Sequence, residues 1–377
     1  MRGARGVVSL LSIGLFLLSD PADAWDRGRA RTFAVLPAGS SGPEGLEVGP
    51  RGHVYVTGFG FTAAGPATGE GQLTVFDERG RLLRQVPVHP SSPHLLGLAF
   101  HPHSGALLVI DFGAGQVLAV DPKTGAAQPF MTLPAVLPHP GGSGLNDLTF
   151  DRAGNVYVSD SAQGIVWKTP PSGGVATIWI DDPLLRTTGV PPFGANGLRF
   201  NREGTTLYVA NTGNDTVVQI PVVGNDPGGP AKIFAQSING ADGLLVDERD
   251  NVWVVENQSD DVVVLDPSGK AIAKLGDFGG AIRHGSPVGL LFPASLRFAG
   301  RSLLVTNLAL DLRIFNPDFT TLDSAWTAQG LPLHRLEDLA RPRRRPRSRL
   351  RRRLTPPLRP SAAVADGSAI DGVTLPR

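Results

Sequence analysis

The sequence contains no cysteine, few aromatic residues (7%) and no apolar run as long as a membrane-spanning helix. Without cysteine the chain has no disulfide bonds, so its stability must come from packing, with a bound metal as the remaining cross-link. The Gly-x-Ser-x-Gly and P-loop patterns are also absent, so serine-nucleophile and nucleotide chemistry have no support. The chain does contain 47 Gly, 33 Pro and 41% hydrophobic residues, which is typical of a globular, turn-rich protein with a large core.

The first 24 residues are typical of a secretory signal peptide. Arg2 and Arg5 precede the apolar run VVSLLSIGLFLL, and Ala22-Asp23-Ala24 is a small-x-small cleavage site. The run has about 12 residues where a spanning helix needs roughly 20, so a membrane anchor is the weaker alternative. We therefore predict cleavage after Ala24 and a periplasmic or secreted protein with no membrane span.

The C-terminal segment, residues 331–377, differs in composition from the rest of the chain. Its stretch RPRRRPRSRLRRR, residues 341–353, is rich in arginine and is followed by a Pro/Ala tail. Dense basic runs can bind nucleic acid or anionic lipid, but this one lacks interleaved aromatic residues and helical amphipathicity. We predict a solvated, disordered tail and no nucleic-acid partner. An altered C-terminal reading frame would produce the same abrupt change.

The region between the signal peptide and the C-terminal segment contains six copies of one short pattern. The pattern is a small or turn residue, Leu, any residue, then Phe or Val. The copies are GLEV, GLAF, DLTF, GLRF, GLLV and SLRF, and their leucines are Leu46, Leu98, Leu148, Leu198, Leu244 and Leu296. Each copy is followed by a turn and a β-rich segment such as HVYVTG, then a third such as QLTVFD, and usually a fourth such as LLRQVPV. In the last copy the third segment is LRIFN.

Four antiparallel strands repeated six times predict an all-β fold, a six-bladed β-propeller over residues 25–330. The segment RTFAVLP, from Arg31, has no blade of its own. We assign it as the outer strand of the last blade, so that an N-terminal strand closes the ring. A β-solenoid or a sandwich with long loops fits the four-strand period less well.

In a propeller the innermost strands line a central channel, and the residues that enter these strands meet near the axis. These six entry residues are Glu44, Leu96, Asn146, Asn196, Asp242 and Ala294. Four of them carry side-chain oxygens and are called here the axial quartet: Glu44, Asn146, Asn196 and Asp242. Two carboxylates held together out of water lose hydration at several kcal/mol per ion and repel each other. A divalent cation would remove that penalty.

Four hard oxygen ligands without Cys or His favour Ca²⁺, suit Mg²⁺ or Mn²⁺ less well, and suit Zn²⁺ poorly. Calcium takes roughly 6 to 8 oxygens, which leaves places for water or substrate. An open position on a metal can polarise a carbonyl or phosphoryl oxygen or acidify a water. A single Asn before a strand, or an Asp before Gly, is usually only a turn residue. The metal hypothesis depends on four such residues at equivalent positions.

Further candidates for substrate binding lie in loops that return to the same face. Asp160, Asn211 and Asn257 follow second strands, and Phe193 lies in the loop before Asn196. Polar residues at such positions also often cap their own turns. The long loop GFGFTAAGPATGEG in blade one is a candidate lid or specificity wall.

Several segments resemble the family of senescence marker protein, gluconolactonase and luciferin-regenerating enzyme. They include PEGLEV, LNDLTFDRAGNVYVSD, GANGLRFNREGTTLYVANT and ADGLLVDERDNVWVVEN. The resemblance implies a six-bladed calcium-type propeller that hydrolyses lactones or related esters. It implies metal ligands at Glu44, Asn196 and Asp242, and a role for Asn146 at the metal or the substrate. The quartet is also similar to the calcium site of organophosphate-hydrolysing and paraoxonase-like propellers.

The chain departs from the sugar-lactonase members at one position. Those members have an Arg two residues before the third-blade Asn, where this chain has Gly144. A sugar lactone and a less polar lactone, ester or phosphoester therefore both stay open as substrates.

The sequence as a whole predicts an exported metal-dependent hydrolase whose axial cation polarises a lactone, ester or phosphoester, and we expect a monomer. Asp242, or a water that it orients, would deliver the attack. The alternative is a non-catalytic binding or scaffold propeller with a structural calcium. A third hypothesis is a lyase or synthase of the strictosidine-synthase kind.

Overall fold

The computed structural model describes residues 27–28, 30–62, 65–283, 286–321, 324–327 and 335–340. The predicted signal peptide, residues 1–24, and most of the predicted tail lie outside these ranges. Among the described residues no helix has the length and apolar character needed to cross a membrane.

Short β-rich segments pair with the next segment along the chain and form six antiparallel four-stranded sheets, called here blades 1 to 6. From the innermost strand outward, blade 1 consists of Pro43–Val48, Val54–Gly58, Gln72–Phe76 and Leu82–Pro87, and blade 2 of Leu95–Phe100, Leu107–Asp111, Gln116–Val120 and Ala127–Thr132. Blade 3 consists of Leu145–Phe150, Val156–Asp160, Ile165–Thr169 and Thr177–Asp181, and blade 4 of Ala195–Phe200, Thr206–Asn211, Thr216–Val223 and Lys232–Gln236. Blade 5 consists of Ala241–Val246, Val252–Glu256, Asp261–Leu265 and Ala271–Leu275, and blade 6 of Pro293–Ala299, Ser302–Asn307, Arg335–Ala340 and Ala30–Val35.

The six innermost strands form a closed ring. Each innermost strand contacts the innermost strand of the next blade, and the innermost strand of blade 6 contacts the innermost strand of blade 1. This arrangement confirms the predicted all-β propeller with six blades. The N-terminal strand Ala30–Val35 forms the outer edge of blade 6, as expected from the unpaired RTFAVLP segment.

The third strand of blade 6 differs from the prediction. The segment LRIFN was expected to supply it, but Leu312–Ile314 is a 3₁₀ helix whose N-cap, Asp311, accepts a hydrogen bond from the Arg313 backbone N–H. The strand is instead Arg335–Ala340, which pairs with Ser302–Asn307 on one side and Ala30–Val35 on the other. Blade 6 therefore includes a strand beyond residue 330, the predicted end of the propeller.

Smaller elements lie between these strands. Two short hairpins pair Phe61–Thr62 with Gly65–Pro66 and Phe278–Arg283 with Ser286–Gly289. The strand Gly174–Val175 extends the outer edge of blade 2, and Asp226–Pro227 pairs with the third strand of blade 4. The remaining elements are the 3₁₀ helix Pro183–Leu185 and the short α-helix Ser324–Thr327.

Apolar side chains fill the spaces between neighbouring blades, since each sheet is buried on both faces. Buried hydroxyl groups add links between inner strands. The Thr57 hydroxyl donates to the Leu96 carbonyl at 2.5 Å, that of Thr212 to the Ala241 carbonyl at 2.7 Å, and that of Thr306 to the Glu44 carbonyl at 3.0 Å. Because the accepting carbonyls belong to entry residues or their direct neighbours, these bonds fix the blades relative to one another at the axis.

Candidate functional site

Each entry residue is the second residue of its inner strand and lies at a break in the strand register. Pairing with the second strand shifts between Pro43 and Leu46 in blade 1, and between Ala241 and Leu244 in blade 5. The other four blades show the same shift at the corresponding residues. Such a bulge re-aims a side chain. Asn196 and Asp242 are therefore strand residues redirected by a bulge, not the turn residues that their sequence context also allowed.

The glycine that follows most entry residues permits close approach of the neighbouring blade. A Cβ atom on Gly45 would lie 2.2 Å from the Leu96 carbonyl oxygen, and one on Gly197 would lie 2.5 Å from the Asp242 carbonyl oxygen. Both obstacles are backbone atoms, which cannot move aside as a flexible side chain can. The repeated Gly-Leu pair thus reflects the tight contact of inner strands around the axis.

The axial quartet lines one cavity at the end of the channel. The cavity opens to solvent and offers about 30 Å³ of water-accessible space. Its polar lining consists of Glu44, Asn146, Asn196, Thr212, Asp242 and Asn257. Its apolar lining consists of Phe59, Leu96, Pro191, Phe193, Phe292, Leu308, Leu310 and Leu312. Four residues chosen by sequence position from four different blades thus converge on one site.

Hydrogen bonds hold two members of the quartet, Asn196 and Asp242, and leave other acceptors unused. The Asn196 amide nitrogen donates to the Thr212 hydroxyl oxygen at 2.9 Å, and the Asn257 amide nitrogen donates to Asp242 Oδ2 at 3.2 Å. Glu44 is only 5% exposed, and its Oε2 has no hydrogen-bond partner among the described residues. A buried carboxylate oxygen without a partner is destabilising unless a cation or a proton compensates it.

The two carboxyl groups are held in an environment that disfavours their charge. Burial, followed by repulsion from Asp242 and from Asp147, raises the pKa of Glu44 well above its usual range, and Arg297 lowers it in part. Burial raises the pKa of Asp242 to about 7; the Asn257 amide opposes this rise and Asp147 adds to it. A bound cation would reverse both shifts, since it stabilises the charged form.

The residues present fit a hard divalent cation. The donor set is two carboxylates and two amides, with no nitrogen or sulfur ligand, and Glu44 offers an unpartnered buried oxygen. No group of three or more His, Cys, Asp or Glu is arranged to hold a metal within the described parts of the chain. The quartet has only two acidic members and owes its other two oxygens to amide groups.

Two predicted substrate residues do not line the cavity. Asp160 Oδ1 accepts from the backbone N–H groups of Gly144 and Gln163, at 2.8 and 3.0 Å, and its Oδ2 accepts from the Trp167 indole at 3.0 Å. Asn211 donates to the carbonyls of Leu184 and Arg186, at 2.8 and 2.9 Å. Both side chains form hydrogen bonds with the loop that precedes the innermost strand of their own blade.

This bonding repeats around the ring at the last residue of the second strand, called here the buttress position. In blade 2 the carboxylate accepts from Ser92, in blade 5 from the Asn239 N–H, and in blade 6 the amide oxygen accepts from the Leu291 N–H. The buttress residues are Asp111, Asp160, Asn211, Glu256 and Asn307. Their polar groups serve the backbone of the entering loops.

The cavity is lined instead by the residue one place further on. Two of the predicted substrate-binding residues, Asn257 and Phe193, line it, and Thr212 and Leu308, which also line it, lie one residue beyond their buttress residues. The sequence analysis did not select Thr212, Phe59, Phe292 or the three leucines Leu308, Leu310 and Leu312 as site residues. The alternation of Leu308, Leu310 and Leu312 in NLALDL is the signal that could have indicated the leucines.

Gly144, the position of departure from the sugar-lactonase pattern, is packed against the chain. A Cβ atom there would lie 2.9 Å from the Ala162 backbone nitrogen, and the Gly144 N–H donates to Asp160. This chain therefore has no side chain at the position where a sugar-binding Arg was expected, and little room for one.

Comparison with known proteins agrees with the resemblance seen in the sequence. Residues 91–276 match the family model described as SMP-30/Gluconolactonase/LRE-like region. No curated protein sequence matches the chain. The structure is similar to that of a calcium-binding protein, regucalcin, from Agrobacterium tumefaciens strain C58, with a TM-score of 0.55 and 19% identity, over 83% of this chain and 95% of that one.

Two further solved structures are similar. A luciferin-regenerating enzyme has a TM-score of 0.56 and 13% identity, over 81% of this chain and 92% of its own. A gluconolactonase from Xanthomonas campestris has a TM-score of 0.54 and 17% identity, over 84% of this chain and 92% of its own. At these identities the likeness shows a shared fold.

Proposed function

We propose that this chain is an exported, divalent-cation-dependent hydrolase of the lactonase type, with calcium as the cation and a lactone, ester or phosphoester as substrate. The match of residues 91–276 to a gluconolactonase-like family supports the lactonase class. The observation that carries the proposal is the convergence of the axial quartet on one cavity, with Glu44 Oε2 buried and unpartnered.

The axial quartet would hold the cation, which when bound would polarise the acyl or phosphoryl oxygen and lower the pKa of a water. Asp242 would orient the attacking water and accept its proton. Asn257, which donates to Asp242 Oδ2, would keep that carboxylate in one orientation. For a lactone, water oxygen bonds to the acyl carbon, the bond from that carbon to the ring oxygen breaks, and the ring oxygen takes up the proton to give a hydroxy acid.

Metal analysis of the purified protein tests this proposal together with a panel of lactones, aryl esters and phosphotriesters, assayed with and without chelator. We expect bound calcium and turnover that chelation abolishes. The variants Glu44→Gln and Asp242→Asn should lose both metal and turnover. Glu78→Gln, at a carboxylate whose side chain is 59% exposed, is the matched control and should keep both.

Two outcomes would count against the proposal. Full activity in a metal-free Asp242→Asn variant would overturn the role of the cation. Bound calcium without turnover of any substrate class would instead indicate a non-catalytic binding propeller with a structural metal.

Export is a separate part of the proposal and rests on the sequence of residues 1–24. We expect the mature protein in a periplasmic or secreted fraction to begin at Trp25. Mass spectrometry of the intact N-terminus checks this, and a protein that keeps Met1 in the cytoplasmic fraction would contradict it.

A further inference from the structure

The apolar lining of the axial cavity includes Phe59 and Phe193 and continues outward as a group of phenylalanine rings, called here the phenylalanine wall. Phe193 packs edge-on against Phe315, with ring centroids 5.7 Å apart, and lies 6.3 Å from Phe59. Phe61 packs against Phe315 at 5.6 Å. Phe315 is 37% exposed although it is a large apolar residue. The rings therefore form a continuous apolar surface from the cavity to the solvent.

The cavity lining itself has few side-chain hydrogen-bonding groups for a hydroxylated ligand. Outside the quartet, the described lining residues with side-chain hydrogen-bonding groups are Thr212 and Asn257. The Thr212 hydroxyl donates to the Ala241 carbonyl and accepts from Asn196. The Asn257 amide nitrogen is used by Asp242, which leaves Asn257 Oδ1 as a single buried acceptor without a partner.

Outside the quartet, a polyhydroxylated ligand would therefore lose water on entry and find only Asn257 Oδ1 as a side-chain partner among the described lining residues. Each buried hydroxyl left without a hydrogen bond weakens binding strongly, and sites for such ligands place donors to replace the lost water. An alkyl or aryl group, in contrast, gains about fourfold in affinity for each methylene that it buries.

We propose that the substrate of this site carries an apolar substituent that lies against the phenylalanine wall: an alkyl- or aryl-substituted lactone or ester, not a sugar lactone. This inference rests on the proposed hydrolase function for its reacting group. It assigns Phe193 and Phe315 as specificity-determining residues, while the axial quartet, which includes Asp242, acts on the acyl group.

A series of γ-lactones with alkyl chains of increasing length, compared with glucono-δ-lactone, tests the inference on the calcium-loaded protein. We expect kcat/KM to rise about fourfold per methylene until the wall is filled, and to be lowest for the sugar lactone. Equal rates along the series, or a preference for glucono-δ-lactone, would overturn it.

The ratio of kcat/KM for the longest and shortest lactones serves as an internal control in variants, because a partly unfolded fraction lowers both values alike. Phe193→Ala should lower this ratio about tenfold. Phe234→Ala is the matched control, since Phe234 lies on the outer strand of blade 4 against Tyr208. A ratio unchanged in the Phe193 variant, or lowered equally in the Phe234 variant, would contradict the assignment.

Calorimetry with 2-alkylcyclopentanones separates this inference from the proposed function, because these ring ketones have no ester bond to hydrolyse. Binding that strengthens with chain length and weakens in Phe193→Ala supports the apolar site even if no lactone is turned over. Turnover of lactones without any chain-length effect on ketone binding would leave the hydrolase proposal standing and overturn the apolar one.

Discussion

Glu44 and Asp242 are two acids that the fold buries side by side before any cation compensates them. Burial raises the pKa of both, that of Asp242 to about 7. Their neighbours Asn196 and Asn257 supply amide groups but no cationic side chain. The metal-free site therefore favours protonated carboxyl groups, whereas a cation site needs ionised ones.

The stability of the metal-free protein should for this reason fall as pH rises, and calcium should offset this fall. A carboxyl whose pKa is higher in the folded state binds protons there while the unfolded chain has released them, so folding stability falls as pH rises from about 4 to about 7. Calcium binds the ionised form and offsets this loss. We expect the increase in Tm caused by calcium over chelator to grow between pH 5 and pH 8.

Thermal melts across this pH range check the prediction. Burial and Glu256 raise the pKa of Asp261 to about 8, so this group also lowers stability as pH rises. Asp261 is not part of the quartet, so its effect should appear in both series and cancel in the difference. A calcium effect on Tm that is independent of pH would show that the two axial carboxyls are not the binding groups.

At this scale the sequence predicted the quartet because its members share one position in a six-fold repeat. It did not separate Asp160 and Asn211 from Asn257, because all three are polar residues near the end of a second strand. The difference is one residue of register: the buttress residue bonds the entering loop, and in blades 4, 5 and 6 the next residue lines the cavity. The tertiary structure decides which loop backbone groups need a side-chain hydrogen-bond partner, and the local sequence does not contain this information.

At the scale of the strand, the pattern of entry residue, Gly and Leu combines three requirements. The bulge aims the entry side chain at the axis, the glycine lets the next blade approach, and the leucine packs between blades; Leu198, for example, is fully buried. Sequence periodicity predicted the strand but not the bulge, because a register shift depends on the partner strand. The glycine was visible in the sequence, but the reason for it, the close backbone contact with the neighbouring blade, is seen only in the structure.

Gly197→Ala should therefore disturb both folding and the metal site. Its Cβ would lie 2.5 Å from the Asp242 carbonyl oxygen and 2.7 Å from the Leu244 backbone nitrogen. Blades 4 and 5 must separate to relieve this contact, at a cost of about 1 to 3 kcal/mol in the free energy of unfolding. Because Asn196 and Asp242 move apart together with the strands, calcium affinity should also fall.

Chemical denaturation and calcium titration of the variant measure these two effects. Gly142→Ala is the matched control, because a Cβ there meets no heavy atom within 4 Å. It should leave both quantities nearly unchanged. A Gly197→Ala protein as stable as the control would mean that the inner strands are not in tight contact.

At the scale of the molecule, blade 6 joins the two ends of the propeller. Its inner strands come from residues 293–307, its third strand from Arg335–Ala340 and its outer strand from Ala30–Val35. The N-terminal strand was predictable because it lacked partners of its own. The third strand was not, because it follows the second after a long connection and not a tight turn, so the four-strand period gives no position for it.

Two truncations distinguish the predicted end of the propeller from the observed one. A chain ending at residue 342 keeps every strand of blade 6, whereas a chain ending at residue 330 lacks Arg335–Ala340 and leaves two facing strand edges unpaired. We expect the longer chain to melt cooperatively near the Tm of the full protein, and the shorter one to aggregate or lose the cooperative transition. Equal melting of both would show that this strand does not contribute to ring closure.

The channel also carries charge pairs that connect neighbouring inner strands near the quartet. Arg199 of blade 4 contacts Asp147 of blade 3 at 2.7 Å, and Arg297 of blade 6 contacts Glu47 of blade 1 at 3.2 Å. Asp147 directly follows Asn146, and its charge raises the pKa of both Glu44 and Asp242. Arg199 thus compensates a third acid close to the proposed cation site.

Removing the Arg199 side chain should lower the stability of the metal-free protein and increase the stabilisation that calcium provides. In Arg199→Met, Asp147 stays buried without its partner, which should lower the stability of the metal-free protein by about 3 to 5 kcal/mol. The same uncompensated charge attracts a cation, so calcium should recover more stability in the variant than in the parent protein.

Thermal melts with chelator and with calcium measure both quantities. The double variant Asp147→Asn/Arg199→Met removes both charges and should return the calcium effect to the parent value. If Arg199→Met lost the same stability with and without calcium, Asp147 would have no electrostatic contact with the cation site, and the charge pairs would act only as links between blades.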